Sequence, residues 1–280
     1  MFQTNMNLTA LLRGFWLFLI FFLSYAPTSS VIPTSAQGRT LSKEEALVRL
    51  KKAHIISETS PDTFASYRLT GCMQIELSQL PKGAASASHQ CFNEETGVQL
   101  PFLAYVRVEI GNTRVTELID INQAKGWQIT SVSSAYRTPV RNVTALNQLK
   151  YASLLENTQH SLLALLALLN TSDAGAAADL DLSYRDHFLV LKWRKDDSVN
   201  EFFFNPQTFL CEKQVRTVAA GTTIFKYSDY RVVSTVRLPH TIVMVTKDGA
   251  TVATRTVDHW SLAAQWPISS FDLDKIGNPD

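Results

Sequence analysis

Arg237-Leu238-Pro239-His240-Thr241-Ile242-Val243-Met244-Val245-Thr246-Lys247, then Asp248-Gly249, then Ala250-Thr251-Val252-Ala253-Thr254-Arg255-Thr256-Val257-Asp258-His259-Trp260: this stretch decides the fold. Two runs rich in β-branched residues flank an Asp-Gly pair, which tolerates positive φ at both central positions of a tight hairpin. Centring the turn there sets Val245 opposite Val252 and Thr246 opposite Thr251. Four runs of the same kind precede it, His187 to Arg194, Val199 to Asn205, Thr208 to Thr217 and Thr222 to Val233. Asp196-Asp197 and Asn205-Pro206 supply the reversals, and no helical period intervenes. From Asp186 to Asp272 the chain therefore reads as an antiparallel meander.

Four signals fall in a fixed order along that meander: Phe204-Asn205-Pro206-Gln207-Thr208, Tyr227-Ser228-Asp229-Tyr230-Arg231, Val236-Arg237-Leu238-Pro239-His240 and Phe271-Asp272. The ordered set resembles the C-terminal half of the LolA/LolB-like outer-membrane lipoprotein-sorting superfamily. Gly126-Trp127 stands where that family tends to carry a Gly-Trp pair, so the resemblance reaches into the N-terminal half. It implies a half-open antiparallel barrel whose helices plug an apolar cavity that accepts lipid chains. The family also carries an inward arginine that locks the helical lid. Here Arg107 falls opposite the apolar face of its strand and Arg114 is no better placed, so no functional residue of the family is carried across.

The chain has 280 residues, 45% of them hydrophobic and 18% charged, which is the composition of a globular protein with a sizeable core. A net charge of +1 without any Lys/Arg run argues against nucleic acid as a partner. Near the N-terminus Arg13 precedes an apolar run from Gly14 to Leu23, of secretory length and too short to span a bilayer. Residues 1–36 read as a signal peptide cleaved after Ala36, with Ala26 the second choice and an uncleaved anchor the alternative. Residues 37–280 then form one domain, exported to the periplasm of a bacterial envelope. Removing Arg13 leaves the mature chain formally neutral.

Leu69-Thr70-Gly71-Cys72 has the letters of a lipoprotein box, but it lies far beyond the apolar run and reads as strand. Cys72 and Cys91 are symmetric about Pro81-Lys82-Gly83, so a hairpin turning there would bring them together, with Cys211 left over. The alternative, three small buried hydrophobes, stays open.

Ser42 and Glu45 form a capping box for a helix running to about His54. From Phe64 the period changes to two, with Tyr67, Leu69, Ile75 and Leu77 marking strand. Ala84 to Ser88 is a loop or weak edge strand. Phe102, Ala104, Val106, Val108 and Ile110 share one apolar face. Gly111-Asn112 turns the chain into Thr113 to Asp120, and Gly126 opens a strand through Val132. Thr144 can cap a second helix with Leu146, Leu149, Ala152 and Leu155 as its stripe. Leu162 to Leu169 is apolar all round and must bury every side. Asn170 to Gly175 ends it and begins a small-residue linker.

No G-x-S-x-G, P-loop, H-E-x-x-H or C-x-x-C occurs, and the six histidines never fall within four residues of one another. The chain therefore reads as non-enzymatic, with no catalytic residue, metal ligand or cofactor. The informative constellation is apolar: Val106, Trp127, Leu162, Leu165, Leu166, Leu189, Leu191, Trp193, Phe203, Phe225 and Tyr227 are the expected lining of a pocket for an acyl chain. The expected fold is mainly β (α+β), a strongly curved sheet or half-barrel of about ten strands with two or more helices over an apolar cavity. The expected function is binding of lipid or lipoprotein acyl chains with transient membrane contact. A protein-binding envelope regulator or structural module of the same fold is the alternative.

Overall fold

The computed structural model describes residues 41–76, 91–99, 102–134, 137–159, 161–171, 180–195, 198–218 and 221–264. The expected signal peptide, the expected turn at Pro81–Gly83, the stretch 84–88, most of the expected linker after Asn170 and Phe271-Asp272 lie outside these residues. Among the described residues no helix is long and apolar enough to cross a membrane.

Among the described residues thirteen strands make one antiparallel sheet. The N-terminal set is β1 (Ser66–Ile75), β2 (Phe92–Gln99), β3 (Leu103–Ile110), β4 (Thr113–Asp120), β5 (Lys125–Ser134) and β6 (Arg137–Ala145). The C-terminal set is β7 (Leu180–Arg185), β8 (Phe188–Lys195), β9 (Ser198–Phe204), β10 (Cys211–Val218), β11 (Gly221–Val233), β12 (Val236–Val245) and β13 (Thr251–Leu262). The order is β6-β5-β4-β3-β2-β1-β13-β12-β11-β10-β9-β8-β7, two meanders joined where β1 meets β13. The end strands β6 and β7 do not pair with each other, so the sheet stays open. The seam sets Tyr67 opposite Leu262 and Leu69 opposite Trp260, with a bulge at Thr70/Gly71. Gly71 is required there, because a Cβ would stand 2.1 Å from the Thr256 carbonyl oxygen.

Among the described residues three helices accompany the sheet: α1 (Lys43–His54), α2 (Gln148–Gln159) and α3 (Leu162–Asn170). The Ser42/Glu45 capping box closes the start of α1 in both directions, at 3.1 and 3.2 Å. Its acidic first turn and basic last turn both complement the helix dipole. Ser161 caps α3 by accepting from the Ala164 amide at 3.2 Å.

The structure corrects the sequence reading in several places. Strands exceed the expected number because β2, β6 and β7 were not read as strands. Thr144 lies inside β6 rather than capping α2. Asn147 does that, its Oδ1 accepting from the Lys150 amide at 2.9 Å. The buried residues of α2 are Leu154 and Thr158, and Leu149 is 61% exposed. The hairpin register holds from Thr241↔Thr256 to Met244↔Ala253, then slips by one so that Val245 faces Thr251. Val252 is the extra residue, and Thr246 closes the turn against Ala250. Cys72 and Cys91 form a disulfide with Cα atoms 5.4 Å apart, and Cys211 is a buried free thiol.

Candidate functional site

One large apolar cluster occupies the face of the sheet that the helices cover. It joins Ala46 and Leu50 of α1, Leu154 of α2 and Leu162, Leu163, Leu165 and Leu166 of α3 to strands of both meanders. The alternation of each strand selects what enters it. Along β9, Phe202 and Phe204 enter while Phe203 turns away. Along β3, Ala104 and Val106 enter while Tyr105 joins a separate cluster with Leu118 and Ile129.

Of the expected lining residues, the structure gathers nine here. Leu162, Leu165, Leu166, Leu189, Leu191, Trp193 and Tyr227 are buried in the cluster, and Val106 and Phe225 pack against it half-buried. Two are placed elsewhere because their strands point them to the opposite face. Trp127 packs on the Tyr105–Leu118–Ile129 cluster. Phe203 meets Phe188 edge-on, with the Lys213 ammonium 3.8 Å and the Arg185 guanidinium 4.9 Å from its ring centroid.

Helix α3 is where the apolar character concentrates. Leu165 and Leu166 are wholly buried, and the rest of the segment Leu162–Leu169 is buried or half-buried. It packs beside α1 and the 3-10 turn Pro61–Phe64. A second helix thus answers the need of an all-apolar segment to bury every side.

Polar ties hold the helices over the sheet at scattered points. Lys150 of α2 donates to Glu117 of β4 at 3.1 Å. Burial raises the Glu117 carboxyl pKa and the Lys150 ammonium opposes it. At the far end of α2, Asn157 Oδ1 accepts from Arg216 Nη1 of β10. Helix α2 therefore reaches from one meander to the other. Asn170 at the end of α3 donates to the Thr59 carbonyl at 3.0 Å. His54 closes α1: Nδ1 meets the Arg237 carbonyl at 3.2 Å, and Nε2 accepts from the Cys211 amide at 3.3 Å.

Arg216 is the residue sequence reasoning missed. Its guanidinium is buried, which lowers its pKa, and the nearby Glu156 charge opposes that shift. Nε donates to Asn200 Oδ1 at 3.3 Å, and the plane lies 5.1 Å from the Phe225 ring centroid. Gln214 donates to the same Asn200 oxygen at 2.9 Å and accepts from Tyr227 at 2.6 Å. A second arginine, Arg255 of β13, holds the buried Glu94 of β2 through two hydrogen bonds. Arg107 instead bonds Glu95 at 3.0 Å, alongside Tyr105, on the opposite face, and Arg114 bonds Glu109 at 2.8 Å. The only available signal was the pair Gln214 and Arg216 at period two, which in sequence looks like a solvated face.

Among the described residues no group of three or more His, Cys, Asp or Glu side chains could hold a metal ion.

No family model matches the sequence, and no curated protein does. Solved structures do. The chain is similar to a LolA superfamily protein from Nitrosomonas europaea, at 12% identity over 85% of this chain and 100% of that one, with a TM-score of 0.48. It is similar to an outer membrane lipoprotein-sorting protein domain from Vibrio parahaemolyticus, at 9% identity over 83% and 97% of the two chains, with a TM-score of 0.39. A DUF1329 family protein from Desulfovibrio piger aligns at 9% identity over 82% and 95%, with a TM-score of 0.40.

Proposed function

We propose that the protein is an exported, non-enzymatic binder of the acyl chains of lipid or lipoprotein, which it takes up between α3 and the helix-covered face of the sheet. The observation that carries this reading is α3 itself. It is a helix with no polar face, buried in the same apolar cluster as Leu189, Leu191 and Tyr227 and held at its ends by Asn170 and the Ser161 cap rather than by salt bridges. Apolar contact is non-directional, so hydrocarbon can replace leucine side chains against the same surface with little loss. As α3 and α2 lift, an acyl chain takes the place that Leu162, Leu165 and Leu166 occupy in the closed form. The Arg216 to Asn157 bond is the latch of that movement.

Export belongs to the same reading. Residues 1–36 are removed, residues 37–280 remain as one domain, and the protein works in the envelope with transient membrane contact. Native mass spectrometry of the purified protein should find acyl species bound and a mature start near Gln37. A delipidated sample should bind a fluorescent fatty acid saturably. A protein that carries no acyl species and binds no probe overturns the proposal.

A further inference from the structure

β12 and β13 separate halfway along their length. They pair from Thr241–Val245 against Thr251–Thr256 and no further. Pro239 accounts for the parting, since it has no amide to donate to a ladder. The first residue of β12, Val236, bridges to Ile55 instead, and the Ile56 amide donates to the Thr235 carbonyl at 2.8 Å. The chain after α1 is thus wedged into the parting. Two side chains span it in place of the ladder. His240 Nδ1 meets the Val257 carbonyl at 2.7 Å, and Trp260 Nε1 donates to the Pro239 carbonyl at 3.0 Å.

The parting holds a cleft of about 700 Å³, a size suited to a small molecule, with Glu58, Arg231, His240, Asp258 and Leu262 in its walls. None of the acyl-lining residues takes part in it. His240 is only 5% exposed. A carbonyl oxygen can only accept, so Nδ1 carries a proton, and in the neutral imidazole Nε2 is then a bare acceptor. Among the described residues Nε2 has no hydrogen-bond partner. A buried acceptor left so costs stability that an arriving donor returns.

The charges around the cleft select the donor. Arg231 is already engaged by Asp229, at 2.6 Å. Asp258 adds to the field on Arg231, and with Glu58 the exposed carboxylates in the walls outnumber that one guanidinium, so the cleft favours a cation. Val232, Val233 and Leu262 add apolar wall for a short hydrocarbon stem. We propose that this cleft is a second binding site, for a small protonated alkylamine whose N–H group donates to His240 Nε2 and whose charge is met by Asp258 and Glu58.

Long-range proton–nitrogen NMR on the isotope-labelled protein tests this with n-butylammonium, sodium butyrate and 1-butanol as probes at matched ionic strength. The free protein should show His240 as the Nδ1–H tautomer. Butylammonium should shift its Nε2 resonance saturably, and butyrate and butanol should not. The double variant Glu58→Gln/Asp258→Asn, altered only at exposed positions, should bind butylammonium about tenfold more weakly. An Nε2–H tautomer in the free protein, no saturable shift, an equal response to butyrate or butanol, or unchanged affinity in the double variant each overturns the site.

Discussion

Arg216 on β10 donates to Asn157 near the end of α2, while Lys150 near the start of the same helix is bonded to Glu117 on β4. One helix is therefore tied to both meanders, across the strands that join them. The Arg216 end of the tie is buried and the Asn157 end is exposed; a hydrogen bond to a charged group is worth about 1.5–3 kcal/mol, and a buried guanidinium left without partners is costly.

Arg216→Met keeps the apolar length of the side chain and removes the donors. Stability should fall by about 1–2 kcal/mol, because Asn157 and Asn200 lose a partner while the stem still packs. Hydrogen exchange in α2 should quicken more than exchange in β10. Uniform acceleration over the whole sheet would show that Arg216 supports the fold without acting as a latch.

His54 makes α1 acid-sensitive. Burial is the main cause that drives its pKa from 6.5 down to about 4, with the Arg237 charge adding to it and the Arg237 carbonyl opposing. The unfolded chain takes up a proton near 6.5 and the folded chain only near 4, so stability is whole above 6.5 and is lost as pH falls through that window. The loss should reach about 3 kcal/mol. His54→Gln should flatten this part of the stability profile measured by urea unfolding. A variant with the parent's slope between those pH values would show that other groups carry it.

What could be read in the sequence and what could not divide along a physical line. Strands β8 to β13 were legible because turn residues punctuate them and apolar residues alternate within them. β2 was not, since its covered positions include Glu94 and Thr96, and the charge of the Glu94 carboxylate is met by Arg255, 161 residues away. β6 is an edge strand whose Val140 and Val143 are exposed, so it shows no buried face to read. The same blindness hid Arg216. Its partners Asn157 and Asn200 are distant in sequence, and a polar residue at a covered position looks like one at a wet position. Helix α3 was legible because eight consecutive apolar residues have no wet alternative. Trp127 and Phe203 were assigned to the lining by size and apolarity, whereas strand parity decides which face they occupy.

The thiols give a direct check. Labelling the unreduced, denatured protein should report one thiol, Cys211, and labelling the folded protein none, because burial both hides that sulfur and raises its pKa. Opening the Cys72–Cys91 bridge should cost about 2–4 kcal/mol. Three labelled thiols in the unreduced sample would reject the bridge.

Leu165→Asp separates a movable lid from a fixed filler. Leu165 is wholly buried in α3, which packs beside α1 and the 3-10 turn. In a fixed core the new carboxylate would stay buried without a partner, which costs several kcal/mol and is enough to unfold a marginally stable domain. In a lid that lifts, the helix can carry the charge to water at the cost of the apolar contacts it leaves. The expected loss is then about 1–2 kcal/mol, together with loss of fatty-acid probe binding, because the helix no longer closes over hydrocarbon. Both quantities should be measured on the one variant. An unfolded Leu165→Asp protein would show that α3 is fixed core, and a folded variant that binds the probe as the parent does would remove α3 from the site.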